Sequence, residues 1–208
     1  MTVLLATNND HKRQELAQIL PDHRIQVPAD WSLDFEFEET ADTFLLNALG
    51  KAHALRELVP ANRGPVIVVA DDSGLCVDAL DGAPGVYSAR FGSPDGGATE
   101  LPSPARNALL LDKLAGVKNR RAHFVCCMVA LFPDKRLAVV QEMFDGEIAH
   151  APAGIGGFGY DPVFYLPERG LTVAELSHGE KHRISHRARA AHALAASLST
   201  METSSGIR

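Results

Sequence analysis

Val66-Ile67-Val68-Val69-Ala70 is an unbroken apolar run in which all but the last residue are β-branched. Such residues are stiff at χ1 and suit a pleated surface, and a run without polar alternation marks a strand covered on both faces. A chain that holds such a strand must supply helices or loops to cover both of its sides. Asp71-Asp72-Ser73-Gly74 follows at once, and here the strand is expected to end abruptly in a polar turn. Loops at strand ends are where α/β proteins place ligands.

The rest of the chain supplies the cover. Val3 to Ala6 reads as a second buried strand, and Leu16, Ile19 and Leu20 behind Thr7 to Lys12 have helical spacing that Pro21 terminates. Phe44, Ala48, Ala52, Leu55 and Leu58 predict a helix over about Asp42 to Leu58, with Asn47 and Lys51 together on another face. Asp81-Gly82 and Pro84-Gly85 are turn signals, Gly92 to Pro104 a loop, and Asn107 to Leu114 a short helix. Ala122 to Phe132 and Leu137 to Phe144 read as a long hairpin around Pro133-Asp134-Lys135, with Asp145-Gly146 as another turn. A glycine-crowded loop, Gly154 to Asp161, precedes the short strand Val163 to Tyr165. Ser185 fits the N-cap of a final helix from His186 to Leu198. Early alternation of strands with helices and a late hairpin predict an α/β fold with a mixed sheet.

With 208 residues, one domain with two lobes is expected over residues 1–199, and residues 200–208 read as a disordered tail. Twenty basic residues against 26 acidic ones leave a net charge of −6, which disfavours a nucleic acid polymer as partner. Any phosphate must be held by a few placed cations. Cys76, Cys126 and Cys127 are an odd number, and the adjacent pair would face opposite sides of a strand, so all three read as reduced. The chain shows neither a signal peptide nor a span of ~18 apolar residues, which predicts a cytoplasmic protein away from the membrane.

Four groups of residues carry possible chemistry. Thr7-Asn8-Asn9-Asp10-His11-Lys12 puts amides, a hydroxyl and an ammonium at a helix N-terminus, where an anion is favoured. The plainer reading is a capped helix start, and the Walker A glycines are missing. Glu38-Glu39 with Asp71-Asp72 offers hard carboxylate oxygens of the kind that hold Mg²⁺ alongside waters and substrate phosphates; the plainer reading is a solvated turn. His178, His182 and His186 are four apart, but Gly179 and the cap at Ser185 are expected to break a shared helix, which disfavours zinc. Phe158 and Tyr160 are placed to stack on a base or to lid the core. Neither Ser73 nor the cysteines has a nucleophile's usual surroundings.

Several longer blocks resemble a known family. They are Thr7-x-Asn9-x-x-Lys12; Glu39-Thr40 with Thr43-Phe44 and Asn47-Ala48-x-x-Lys51-Ala52; Ala70 to Leu75 continuing to Gly82 to Arg90; Gly156 to Pro162; and Lys181-x-x-x-Ser185-His186-Arg187. In that order they are similar to the non-canonical purine nucleoside triphosphate pyrophosphatases, the inosine triphosphatase or XTP/dITP diphosphatase family. Asp10-His11 departs from the glycine that many members have before the lysine.

The resemblance implies a two-lobed α/β fold with a long mixed sheet and a cleft between lobes, as a homodimer. It implies hydrolysis of ITP, dITP and XTP between the α and β phosphates with Mg²⁺, cleansing the nucleotide pool of deaminated purines. By position it makes Thr7, Asn8, Asn9, Asp10, His11 and Lys12 the phosphate loop and Glu39 and Asp72 the metal ligands. Asp72 also matches the acceptor of the water proton. Ser73, Phe158, Gly159, Tyr160, Asp161, Lys181, His186 and Arg187 match substrate contacts. The alternatives left by the residues themselves are a nucleotide-binding regulator, which would lack the acids, and a phosphohydrolase that releases orthophosphate.

Overall fold

The computed structural model describes residues 2–95 and 99–205, so part of the expected Gly92 to Pro104 loop and the end of the expected tail lie outside the described residues. Seven strands form one mixed sheet in the order β2-β1-β3-β4-β5-β6-β7. They are β1 Thr2–Leu5, β2 Arg24–Gln26, β3 Ile67–Val77, β4 Arg121–Leu131, β5 Leu137–Ile148, β6 Phe164–Leu166 and β7 Leu171–Thr172. β1 lies parallel to β2 and β3, whereas β6 runs antiparallel to β5 and β7. The helices are α1 Asp10–Ile19, α2 Phe44–Leu58, α3 Ser103–Lys113, α4 His178–Ile184 and α5 His186–Ser205. None of the described helices is long and apolar enough to cross a membrane.

The chain divides into two compact units, residues 1–72, 126–142 and 187–208 forming the first and residues 73–125 and 143–186 the second. In the first unit side chains alternate across the sheet. Val3, Leu5, Ile67 and Val69 pack with Leu16 and Ile19 of α1 and with Ala188, Ala191 and Leu194 of α5. Leu4, Ala6, Val66, Val68 and Ala70 pack on the opposite side with Ala48, Ala52 and Leu55 of α2. This is the double cover that the β-branched run requires, and burying each such side chain contributes about 1.5–3 kcal/mol. The second unit has its own core, in which Leu75, Leu110, Leu114, Phe124, Phe144, Ile148 and Phe164 meet.

Four boundaries differ from the sequence reading, the first being that α3 starts at Ser103, within the expected Gly92 to Pro104 loop, with Pro104 in its first turn where a missing N–H costs nothing. β3 does not stop at the acids but runs through Asp71 to Val77. Both carboxylates are bonded laterally, so charge at these positions does not force a turn. β5 likewise continues through Asp145-Gly146 to Ile148, because Gly146 leaves room for the Phe164 ring and for the Tyr165 carbonyl, which a Cβ would strike. The last helix extends beyond Leu198 to Ser205. The histidines do part company, although Gly179 is helical: Ser177 caps α4 and Glu180 bonds back to it, and extended Ser185 separates α4 from His186 in α5. Among the described residues no three His, Cys, Asp or Glu side chains gather as a metal site. All three cysteines are free, with Cys126 and Cys127 buried.

Candidate active site

In the first unit the loop from β1 to α1 is a closed set of local hydrogen bonds. Thr7 Oγ1 accepts from the Asn9 amide at 3.1 Å, and Asn9 Oδ1 accepts from the amides of His11 (3.0 Å) and Lys12 (3.2 Å). Asn8 Nδ2 donates to the Phe35 carbonyl at 2.7 Å. Those amides are therefore engaged as an N-cap, and a phosphate would meet chiefly the Lys12 ammonium and the positive end of the α1 dipole. Asp10 and His11, where the sequence departs from the family, are exposed, and Asp10 faces Arg13 at 3.6 Å.

Asp71 and Asp72 follow the alternation of β3 onto different sets of partners. Asp71 lies 3.1 Å from Lys12 Nζ through Oδ1 and accepts from Arg187 Nε (3.4 Å) and Nη2 (3.3 Å) through Oδ2. Burial opposes its charge, but Lys12, Arg187 and Lys51 override burial and hold its carboxyl well below the usual carboxylate range. Asp72 Oδ2 accepts from Asn47 Nδ2 at 3.0 Å, and its Oδ1 lies 3.5 Å from Lys51 Nζ. Here burial wins, and with the like charge of Glu39 it raises the carboxyl above its ordinary value against the pull of Lys51.

α2 supplies the scaffold for Asp72. Thr43 caps it, and its buried stripe of Asn47 and Lys51, one turn apart, is polar within an otherwise apolar face. Asn47 is fixed by the Ala41 amide and carbonyl. Lys51 Nζ donates to the Asp71 carbonyl at 2.9 Å and to Glu39 Oε1 at 2.5 Å. Burial disfavours its charge most strongly, yet Asp72, Glu39 and Asp71 together raise its pKa. Of the two adjacent glutamates, Glu39 joins Asp72 at this ammonium, whereas Glu38 is exposed.

The second unit holds a separate polar cluster at the glycine loop. Asp161 Oδ2 accepts from the Phe158 amide at 2.7 Å and from Lys181 Nζ at 2.8 Å, and that ammonium stands 4.5 Å from the centroid of the Phe158 ring. Gly157 has φ +70°, and a Cβ there would overlap the Asp161 carboxylate, so the turn requires glycine. Asn107 Nδ2 donates to the Gly159 carbonyl at 3.1 Å. Tyr160, expected as a substrate contact, is buried in the core with its hydroxyl donating to the Ser88 carbonyl at 2.8 Å. His186 is buried and stacks on Phe124, with centroids 4.7 Å apart. Ser73 is half-buried in β3.

Asn47, Lys51 and Glu15 emerge as members of these clusters although the sequence suggests no separate role for them, and Asp71, grouped in the sequence with the carboxylates suited to Mg²⁺, is instead paired with Lys12 and Arg187. The i, i+4 pairing of an asparagine and a lysine amid apolar helix positions was the signal available for the first two. Glu15 had none, because its partner Arg187 is far away in the chain.

The chain is thus a mixed α/β protein in which buried carboxylates are paired with placed cations, and it is similar to known proteins in sequence and fold. The Ham1 family model matches residues 3–197. The dITP/XTP pyrophosphatase of Treponema denticola is 47% identical over 190 residues, spanning 91% of this chain and 94% of that protein. The Geobacillus kaustophilus dITP/XTP pyrophosphatase is 47% identical over 195 residues, 90% and 89% of the two chains. The structure of the Staphylococcus aureus Ham1 protein is similar with a TM-score of 0.81 at 38% identity, covering 97% of this chain and all of that one. This chain belongs to the Ham1 family.

Proposed function

We infer that this protein hydrolyses non-canonical purine nucleoside triphosphates, namely ITP, dITP and XTP, to the monophosphate and pyrophosphate. The observation that carries this reading is the grouping in one unit of Lys12 at a helix N-terminus with Glu39 and Asp72 around Lys51, in a chain 47% identical to a dITP/XTP pyrophosphatase. Removal of deaminated purine nucleotides before polymerases use them is the biological role that follows.

Two carboxylates that repel one another, share one ammonium and present hard oxygens fit a divalent cation. Glu39 and Asp72 would hold Mg²⁺, which when bound neutralises phosphate charge and makes water more acidic. Asp72 accepts the proton of the attacking water, a role suited to a carboxylate held in place by Asn47. The water oxygen bonds to the α-phosphorus, the α–β bridging bond breaks, and pyrophosphate leaves with the negative charge that Lys12 offsets. For the base, the Phe158 ring supplies stacking that any purine accepts, and Lys181 donates to a 6-oxo group. A homodimer is expected in solution, and light scattering would measure it.

Incubating the protein with ITP, XTP, dITP, ATP and GTP and Mg²⁺, with pyrophosphate resolved from orthophosphate, tests the reading. Pyrophosphate with inosine monophosphate is the expected first pair of products. Orthophosphate as first product, or equal turnover of ATP and ITP, would overturn it.

A further inference from the structure

We propose that Asp71 is a positioning residue for the phosphate-binding lysine: its carboxylate, gripped by Arg187 and through it by Glu15, sets where the Lys12 ammonium waits for the triphosphate. The inference rests on the proposed role of Lys12 and extends it to Asp71, Arg187 and Glu15.

Four side chains alternate in charge along one path. Lys12 Nζ meets Asp71 Oδ1 at 3.1 Å, Asp71 Oδ2 meets Arg187 Nη2 at 3.3 Å, and Arg187 Nη1 meets Glu15 Oε2 at 2.6 Å. All lie in the first unit. The Asp71 and Arg187 side chains are 3% and 4% exposed, Glu15 12% and Lys12 16%, so accessibility rises toward both ends of the path. Both ends belong to α1, where Lys12 and Glu15 stand three residues apart on one side of the helix. The first two turns of α1 are thereby tied to a single carboxylate on β3, one directly through Lys12 and the other by way of Glu15 and Arg187.

Stability alone is a poor reason for such a path. Desolvating buried charges costs about what their pairing returns, and apolar replacements are often neutral. Fixing a conformation is a better one. A lysine has a long flexible stem whose freedom a triphosphate would otherwise have to remove on binding. Held at Asp71, the ammonium is already in place, and the second contact on Asp71 Oδ2, from Arg187, keeps that carboxylate from shifting when a phosphate arrives at Lys12.

A double-mutant cycle separates this role from a general structural one. KM and kcat for ITP, and Kd for its non-hydrolysable α,β-imido analogue, are measured for wild type, Asp71→Asn, Lys12→Met and the double variant. Asp71→Asn should raise KM and Kd about tenfold or more, as expected for losing a charge-assisted hydrogen bond, with a smaller change in kcat. In the Lys12→Met background the same change should alter Kd by less than about twofold, since residues that act through one another are not additive. Glu15→Gln should weaken binding in the same direction and likewise lose its effect without Lys12. Should circular dichroism show Asp71→Asn unfolded, the cycle of Glu15→Gln with Lys12→Met decides: a loss in Kd that disappears without Lys12 supports the proposal, and an additive one overturns it. Equal fold-losses in both backgrounds, or wild-type Kd in Asp71→Asn and Glu15→Gln, would overturn the proposal. A wild type that binds the analogue but releases no pyrophosphate from ITP would count against the proposed function instead, leaving the cycle in Kd to judge Asp71.

Discussion

Asp71 and Asp72 are neighbours in β3 whose carboxylates are driven in opposite directions: Asp71 is kept ionised against burial by Lys12 and Arg187, while burial and the like charge of Glu39 push Asp72 toward the neutral acid. One dipeptide thus presents a fixed anion to α1 and α5 and a more readily protonated carboxylate to α2. The pleat alone produces the division, because successive side chains of a strand leave it on opposite faces.

Asp72→Asn is expected to cut pyrophosphate release from ITP by roughly 10²- to 10⁴-fold, the usual worth of a general base. The same variant should be no less stable than wild type in metal-free buffer at neutral pH. The sign follows from linkage: a carboxyl raised in the folded state contributes stability at low pH that is lost as pH rises through its folded value, so ionised Asp72 is a cost at pH 7. Steady-state rates and thermal melts on one preparation check both halves. A fully active Asp72→Asn enzyme would remove this strand from the reaction.

Glu39→Gln should act mainly on the metal. An amide is a weaker ligand for a hard cation, so the Mg²⁺ concentration giving half-maximal activity should rise while activity at saturating Mg²⁺ recovers in part. Titrating Mg²⁺ at fixed ITP measures it, and an unchanged midpoint would place the metal elsewhere.

Asp71 makes the opposite pH prediction for stability. Its pKa is lowered on folding, so its contribution is fully present above the unfolded carboxylate value of about 3.9 and disappears as pH falls toward the folded one. The destabilisation caused by Asp71→Asn, measured by urea unfolding, should therefore be largest at neutral pH and shrink below about pH 4. A penalty that stays constant down to pH 3 would mean that the loss comes from packing and not from charge.

How far these features were legible depended on where their partners lay. The double-sided strand at Val66 to Ala70 and the capped loop at Thr7 to Lys12 were readable, because apolar runs and caps are local patterns. The continuation of β3 through Asp71 to Val77 was not, since two acids before Ser-Gly look like a turn until Lys12, Asn47 and Arg187 are brought beside them. Asp145-Gly146 misled for a related reason: its glycine serves Phe164 across the sheet, not a change of direction. Glu39, Asp72 and Lys12 could be picked out one by one, but the ammonium of Lys51 that gathers Glu39 and Asp72 depends on tertiary packing.

Base choice provides the last prediction, and it turns on Arg187 against Lys181. Both match family substrate contacts, and a donor facing the purine 6-position would favour hypoxanthine or xanthine over adenine, whose 6-amino group would leave buried donors unpaired. The Arg187 guanidinium, however, is engaged with Asp71 and Glu15 in the first unit. Lys181 instead stands over Phe158 beside Asp161 in the second. Arg187→Met is accordingly expected to lower kcat/KM for ITP, GTP and ATP by similar factors, since it acts through Lys12 and a phosphate contact carries no base information. Lys181→Met should reduce ITP far more than ATP, losing a hydrogen bond worth about 1–3 kcal/mol only where a 6-oxo group can accept it. Measuring kcat/KM for the three nucleotides with each variant decides the assignment. A loss in Arg187→Met confined to ITP and GTP would make Arg187 a base reader that leaves Asp71 when substrate binds.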